Sequence, residues 1–524
     1  MKSFLMFRDR DFDPKQILIT RERKYNREDR PKLEVMLPWN YKDLIQDLGL
    51  DILFNSMADG DNFLFETVKV ALLSVLKDVD SILYRQNILK DCINNEPIVR
   101  DIYKLTIETI TREKKILGWG LLRQSPSSLL YQSRNKLKLY SEMLLKLRKI
   151  SEQNEEKFSS TGFKNLFEML KEELNDEYLE TIKNYLRELK FEDGILVSTE
   201  LGYGNKGSNY ILHKPPIDTR NWFKHLLQKE LPGYTYKIHH RDEAGARALS
   251  ELRNQSISSV ADTLAQSMDH ILSFFCALRT ELAFYIGCLN LNKKLKQLNE
   301  QVCFPSPVPT GRQQLFFSEL YYINLALSSG QKVISNQLKA EGKTLFIITG
   351  ANTGGKSTFM RSIGTAQLMM QSGMFVPAKN FSAEIRENIF THFKREEDSE
   401  MESGKLDEEL SRMSEIVDNI STNSMILLNE SFAATNEKEG SEIARQVTSA
   451  LIESGVKVFF VTHQYEFASS FYEKNLNITI FLRAERLADG TRTFKIKEGK
   501  PEQTSYGEDI FKQIFEADHN AKQY

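Results

Sequence analysis

The sequence predicts an α region followed by an α/β region, and three observations carry that prediction. From about residue 46 to 310, apolar side chains recur every three or four positions over long stretches, the period of helices. Beyond Pro305, Ser306, Pro307, Val308 and Pro309, short β-rich runs at 344–349, 425–428, 456–461 and 478–482 alternate with helical ones, the pattern of a mostly parallel sheet with crossover helices. The first of those runs leads straight into a glycine-rich loop and then a helix, so sheet and loop predict each other.

Length and composition fit this division. A chain of 524 residues accommodates two to four domains, and 41% hydrophobic with 27% charged residues is ordinary for a soluble globular protein. The net charge of −2 advertises no general basic field for nucleic acid, although local patches stay open. Cys92, Cys276, Cys288 and Cys303 are scattered without a paired motif, which argues against a zinc site or disulfide framework and for thiols of a reducing compartment. The first residues turn charged too soon for a signal peptide, and no apolar run approaches the ~20 residues that cross a bilayer. The expectation is a cytoplasmic protein with no membrane partner.

Residues 1–45 are polar and irregular, charge-rich over 21–30, and are expected to form a lead-in segment. In the helical region, 46–310, Phe163, Leu166, Leu170, Leu174, Tyr178, Ile182, Tyr185 and Leu189 keep the spacing of one amphipathic helix. A longer run, from Ile257 through Leu264, Phe275 and Leu282 to Leu289, predicts a rod of roughly 50 Å. Such a rod either protrudes as a lever or lies in a large bundle. Between the two runs, apolar alternation at 195–198 and 210–212 around Gly202, Gly204 and Gly207 predicts a β-hairpin, the tip of a small clamp over about 160–215. That hairpin either touches a macromolecule or simply connects helices. Residues 111–150 carry ten basic side chains against two acidic ones, and 151–194 twelve acidic against six basic. The basic stretch can neutralise phosphates or pack near the acidic one; both readings stand.

The region 311–524 carries the chemistry. Gly350, Ala351, Asn352, Thr353, Gly354, Gly355, Lys356 and Ser357, with Thr358 next, form a GxxxxGKS P-loop between the strand at 345–348 and a helix that begins at Lys356. Its glycines let successive backbone N–H groups turn toward a phosphate, and the helix N-terminus adds a positive dipole. The loop therefore predicts ATP. Lys356 is placed to bridge the β- and γ-phosphates, and the Ser357 hydroxyl to ligate Mg²⁺. Downstream, an apolar strand at 424–428 ends in Asn429 and Glu430. An aspartate normally stands at the first of these positions beside the magnesium shell; Asn429 is neutral and cannot supply that charge. Glu430 fits the role of the base that activates water. Thr462 and His463 follow the strand at 456–461, and His463 is placed to sense the γ-phosphate or orient water.

These motifs also carry a resemblance. GANTGGKSTFMRSIG at 350–364, VPA at 376–378, IFTHF at 389–393, LLNE at 427–430, Thr435 with Glu439 and Gly440, VTHQYEF at 461–467, and Ser505, Tyr506, Gly507 together resemble MutS-type DNA mismatch repair ATPases. Met57, Ala58, Asp59, Gly60 through Leu83, Tyr84, Arg85, Gln86 resemble the start of the MutS helical core. The resemblance implies an ABC-like ATPase that forms a homodimer through this module, with two composite sites at the interface. It implies a signature loop offered to the partner's γ-phosphate. The similar stretch here holds Ser403, Gly404 and Lys405, with Leu406 where the family has its serine, so Ser403 or Lys405 is left to make that contact. Adenine stacking is implied for side chains just upstream of the loop strand, where Tyr321, Tyr322 and Ile323 stand; ordinary core packing is the competing reading for them.

Mismatch-reading members of the family carry an N-terminal domain with an aromatic wedge, for which nothing before residue 50 offers a counterpart, and no basic endonuclease-type tail follows the ATPase region. Direct mismatch reading is therefore not expected. The reading is an ATP-driven, DNA-binding dimeric clamp or switch related to mismatch repair. Two alternatives stay open: an ATPase that acts on branched DNA or on ribosomes, and a nucleotide-bound scaffold that hardly hydrolyses, suggested by Asn429 and Leu406.

Overall fold

The computed structural model describes residues 1–10, 12, 37–116, 125–192, 194–214, 234–395, 404–488 and 490–502. The chain folds into two compact units, mostly α in the first and mostly α/β in the second. One comprises Met1–Ser3, Pro97–Phe158 and Phe163–Arg279; the other comprises Phe4–Glu96, Ser159–Gly162 and Thr280–Tyr524. The units interleave the three consecutive segments that composition suggests.

In the first unit, helix Pro126–Asn154 starts where Pro126 supplies a preset φ and the Ser125 side chain accepts from the Ser128 N–H. The apolar run expected to form one helix over 163–189 is split into Thr161–Glu173 and Asp176–Glu188. Asn175 causes the break: its backbone is extended and its side chain accepts from the Tyr178 N–H at 2.9 Å, capping a new helix. Phe158, Phe163 and Phe167 pack as an aromatic cluster with centroids 4.5–5.7 Å apart. The expected hairpin is present, β1 (Leu196–Leu201) pairing antiparallel with β2 (Gly207–His213).

Ion pairs bear on the two readings of the basic stretch. Lys136 holds Glu113 at 2.6 Å with both side chains nearly buried. Arg112 and Lys146 share Glu142 at 3.3 and 3.1 Å. Arg148 reaches Glu152 at 2.6 Å and Asp176 at 2.8 Å in the acidic stretch. These four cations are engaged within the protein. The longest helix, Glu243–Gln297, extends well beyond the apolar run that predicts it. Against the expectation that no apolar run approaches membrane length, this helix holds an 18-residue window apolar enough by composition, and 78% of that window is buried.

Among the described residues the second unit holds two sheets. Its strands are β3 (Ser306–Val308), β4 (Gln314–Leu320), β5 (Asn336–Glu341), β6 (Leu345–Gly350), β7 (Asn380–Glu384), β8 (Ile389–Phe393), β9 (Met425–Asn429), β10 (Lys457–Val461), β11 (Thr479–Arg486) and β12 (Arg492–Glu498). Six of them form a sheet in the order β12-β11-β6-β10-β9-β8, parallel except for the edge strand β12. Every residue of β6, β8 and β10 is buried, as expected of parallel strands covered on both faces. Leu345, Ile347, Ile426, Leu428, Val458 and Phe460 form the core under the helix side. The second sheet, β3-β7-β4-β5, has no counterpart in the sequence reading. Its strand β3 spans three residues, and a register shift between Phe317 and Leu320 interrupts the alternation of β4.

N-terminal residues from Phe4 onward also belong to the second unit. Leu5, Met6 and Phe12 are buried, and the fully buried Glu281 carboxylate accepts from the Leu5 and Phe12 N–H groups at 2.7 and 3.2 Å. The Arg85 guanidinium donates to the Met6 carbonyl at 2.7 Å.

Candidate functional site

Parallel register brings three strand ends to one place. Val461 of β10 pairs with Ile348 of β6 on one side and with Asn429 of β9 on the other. Within two residues of these pairs the chain reaches Gly350, the last residue of β6, and leaves the sheet as Glu430 and Ser431 and as Thr462 and His463. Ligands of open α/β sheets bind at such carboxyl ends.

The glycine loop is shaped by close approach as well as by sequence. Gly350 has φ +106°, and a Cβ there would lie 3.0 Å from the Ala484 backbone nitrogen on β11. Gly355 has φ +89° and caps the helix Lys356–Gln371. Arg492 ties the loop from outside, its Nε donating to the Asn352 carbonyl at 2.7 Å. Lys356 is buried and turned back on the loop: its Nζ donates to the carbonyls of Gly350 and Ala351, both at 2.9 Å. Burial pushes its ammonium down from 10.5 to about 8, against the opposing attraction of Glu430.

Ser357 donates its hydroxyl to Oδ1 of Asn429 at 2.9 Å. Glu430 follows in the left-handed region, φ +53°, with its N–H on the Val461 carbonyl at 2.9 Å. Its Oε1 lies 3.3 Å from His463 Nε2, both side chains about one-third exposed. The His463 contact, with Lys356 and Lys394 further off, holds the Glu430 carboxyl below its usual range in spite of partial burial. Lys394 leaves β8 beside this point, its N–H donating to the Asn429 carbonyl at 2.9 Å.

Asn352, Thr353, Gly354, Gly355, Lys356, Ser357, Thr358, Glu430 and His463 share one cavity of about 520 Å³. Gly350 and Ala351 are not among the residues that line it. Tyr322 lines the cavity and anchors its hydroxyl on the Leu48 carbonyl at 2.9 Å. Ile323 does not line it; the side chain is fully buried in the core at the start of helix Ile323–Ser329. The apolar wall comes instead from Leu325, Ile334 and Phe494, 43–47% exposed. Sequence offered no signal for these three, since each is a single apolar residue in a separate element. Gly404 and Lys405, at the start of helix Lys405–Asn419, are exposed and outside the cavity wall. Ser403 lies outside the described residues.

Magnesium would find two neutral oxygens at the loop, the Ser357 hydroxyl and the Asn429 amide, with one carboxylate, Glu430, nearby. Among the described residues no cluster of three His, Cys, Asp or Glu side chains could hold a metal. The donors present fit a metal only in company with phosphate oxygens.

Comparison with known proteins agrees with this architecture. Residues 77–298 match the MutS2 N-terminal domain, and residues 346–518 match MutS domain V. MutS protein homolog 4 of Homo sapiens is 28% identical over 248 residues, 44% of this chain and 26% of that protein. Endonuclease MutS2 of Pediococcus pentosaceus is 26% identical over 262 residues, 49% of this chain and 33% of its own length. DNA mismatch repair protein MutS of Prochlorococcus marinus is 33% identical over 156 residues, 29% of this chain and 17% of that protein. The chain thus spans a third or less of the length of these relatives. With one domain match over the helical region and another over the sheet that carries the loop, the chain belongs to the MutS family.

Proposed function

We propose that this chain is an ATP-hydrolysing, DNA-binding switch of the cytoplasm, working as a homodimer through its 311–524 region, with magnesium as the cofactor of turnover. The observation that supports it best is the convergence of Lys356, Ser357, Glu430 and His463 on one cavity of about 520 Å³ at parallel strand ends, a volume suited to a nucleotide. DNA as the partner, duplex or branched, follows from the relatives named as DNA mismatch repair proteins.

In this reading the loop N–H groups and the helix N-terminus hold the β-phosphate. Lys356 exchanges its two carbonyl acceptors for phosphate oxygens, which favour its charged form. Bound Mg²⁺, reached by the Ser357 hydroxyl, would neutralise charge on the transferred group. Glu430 accepts a proton from the water that attacks the γ-phosphorus as the bond to the β,γ-bridging oxygen breaks, and His463 fixes the direction of the carboxylate. Tyr322 with Leu325, Ile334 and Phe494 forms the wall against which adenine lies. The loop with Ser403, Gly404 and Lys405 faces the γ-phosphate bound by the partner in the dimer.

Steady-state phosphate release tests the assignment. Glu430→Gln is expected to keep ATP binding and to lose at least tenfold in turnover, and Lys356→Ala to lose binding. Unchanged turnover in Glu430→Gln removes the carboxylate from the role of base. Background release by the wild type would instead favour a nucleotide-bound scaffold, the reading that the neutral Asn429 suggests. DNA binding is expected to weaken steeply as salt rises, because phosphate neutralisation drives it.

A further inference from the structure

This inference rests on the ATP reading above and concerns what the site asks of the metal. P-loop sites ordinarily hold an aspartate from the neighbouring strand against the metal carried by the loop serine. Here the Ser357 hydroxyl rests on the Asn429 amide at 2.9 Å, a pair with no net charge. On the other side of β9, Phe393 pairs with Asn429, and the next residue, Lys394, donates its N–H to the Asn429 carbonyl at 2.9 Å. Lys394 is exposed and is not one of the residues lining the cavity, while its backbone stands at the strand ends beside Glu430. Its charge is among those holding the Glu430 carboxyl down. The cavity wall itself carries Lys332 and Lys356 against Glu430. Relative to a site with an aspartate at 429 and no lysine at 394, the balance has moved by two positive charges.

Linkage turns this into a measurable consequence. The factor by which magnesium strengthens nucleotide binding equals the factor by which nucleotide strengthens magnesium binding. A carboxylate beside the loop serine raises that factor twice over, by attracting the metal and by repelling the bare triphosphate. An amide does neither, and an ammonium nearby attracts the bare triphosphate.

We propose that this chain binds the nucleoside triphosphate free of metal, with Asn429 and Lys394 as the residues that determine this, magnesium adding little to affinity although turnover uses it. The test is a titration of a fluorescently labelled, non-hydrolysable ATP analogue, followed by anisotropy, in excess magnesium and in excess EDTA. The wild type is expected to bind within about threefold in the two conditions. Asn429→Asp should bind at least tenfold more weakly in EDTA than in magnesium. Lys394→Ala, a change at an exposed position, should lose at least fivefold in EDTA and less in magnesium. A wild type more than tenfold weaker in EDTA overturns the proposal, as does a Lys394→Ala titration that matches wild type in EDTA. If the wild type binds in neither condition and behaves as Lys356→Ala does, the nucleotide reading itself fails.

Discussion

Lys356 is a buried cation whose acceptors are two backbone carbonyls, and this makes its substitution by methionine informative. The residue is 5% exposed, and its ammonium donates to the Gly350 and Ala351 carbonyls. Burial is the main cause that lowers it from 10.5 to about 8, equivalent to about 3 kcal/mol against the folded state wherever the group is charged in both states. Because the folded value lies below the unfolded one, the folded state binds fewer protons between about pH 8 and 10.5, and stability rises with pH across that window. Below about pH 8 the whole penalty is present. Lys356→Met keeps the length of the side chain and removes the charge, while giving up two hydrogen bonds worth about 0.5–1.5 kcal/mol each.

The expected balance at pH 7 is a variant about 1 kcal/mol more stable than wild type, roughly 1 °C in midpoint for a chain of this size. Near pH 10.5 the wild-type penalty has gone and the variant should be the less stable protein by its lost hydrogen bonds. Scanning calorimetry in EDTA without nucleotide, at both pH values, reads the change of sign. A variant less stable by the same margin at both would refute the view that Lys356 is held under electrostatic load by its burial.

Two further substitutions probe the scaffold. Gly350→Ala introduces a Cβ 3.0 Å from the Ala484 nitrogen at a φ of +106°, so a cost of about 1–3 kcal/mol is expected, read as a lower urea midpoint. Glu384→Gln leaves the fully buried Arg386, now 2.5 Å from Glu384, without its counter-ion and beside the buried Lys457; the expected loss is about 3–5 kcal/mol, again from urea unfolding.

Much of the second unit was legible because its strands are covered on both faces. The runs at 344–349, 425–428, 456–461 and 478–482 are near-continuous apolar segments, and each corresponds to a strand, β6, β9, β10 or β11. The glycine loop was legible because close backbone approach at Gly350 leaves no room for a side chain. Periodicity failed where a local cap outweighed it. Leu174 keeps the apolar stripe of 163–189 in step, yet the Asn175 side chain competes for the backbone and divides the helix. The resemblance left both stacking and core packing open for Tyr322 and Ile323, and the two residues divide between them: Tyr322 lines the cavity and Ile323 enters the core. Phe494 lies beyond any sequence signal: β12 brings it to the loop, held by the Ile496 N–H on the Asn336 side chain at 2.7 Å.

The backbone around the site is held away from its ordinary conformations, and the rigid parts of the fold explain how that persists. Thr353, Glu430, Phe432 and Phe494 all have φ between +53° and +62°, unusual for residues with side chains. Each such position costs of order 1–3 kcal/mol unless its surroundings fix it. Around Glu430 they do. Its N–H is bonded to β10, the Phe432 carbonyl accepts from the Gln464 side chain at 3.0 Å, and Ser431 donates to the His392 carbonyl at 2.7 Å. The His392 ring, stacked on Phe432 and pushed down to about 4 by burial, stays neutral at physiological pH and adds no charge to the turn. A carboxylate placed on a relaxed turn would sweep several orientations. On this one it is aimed by β9, β10 and a buried histidine, and its 3.3 Å contact with His463 is a consequence of the fold.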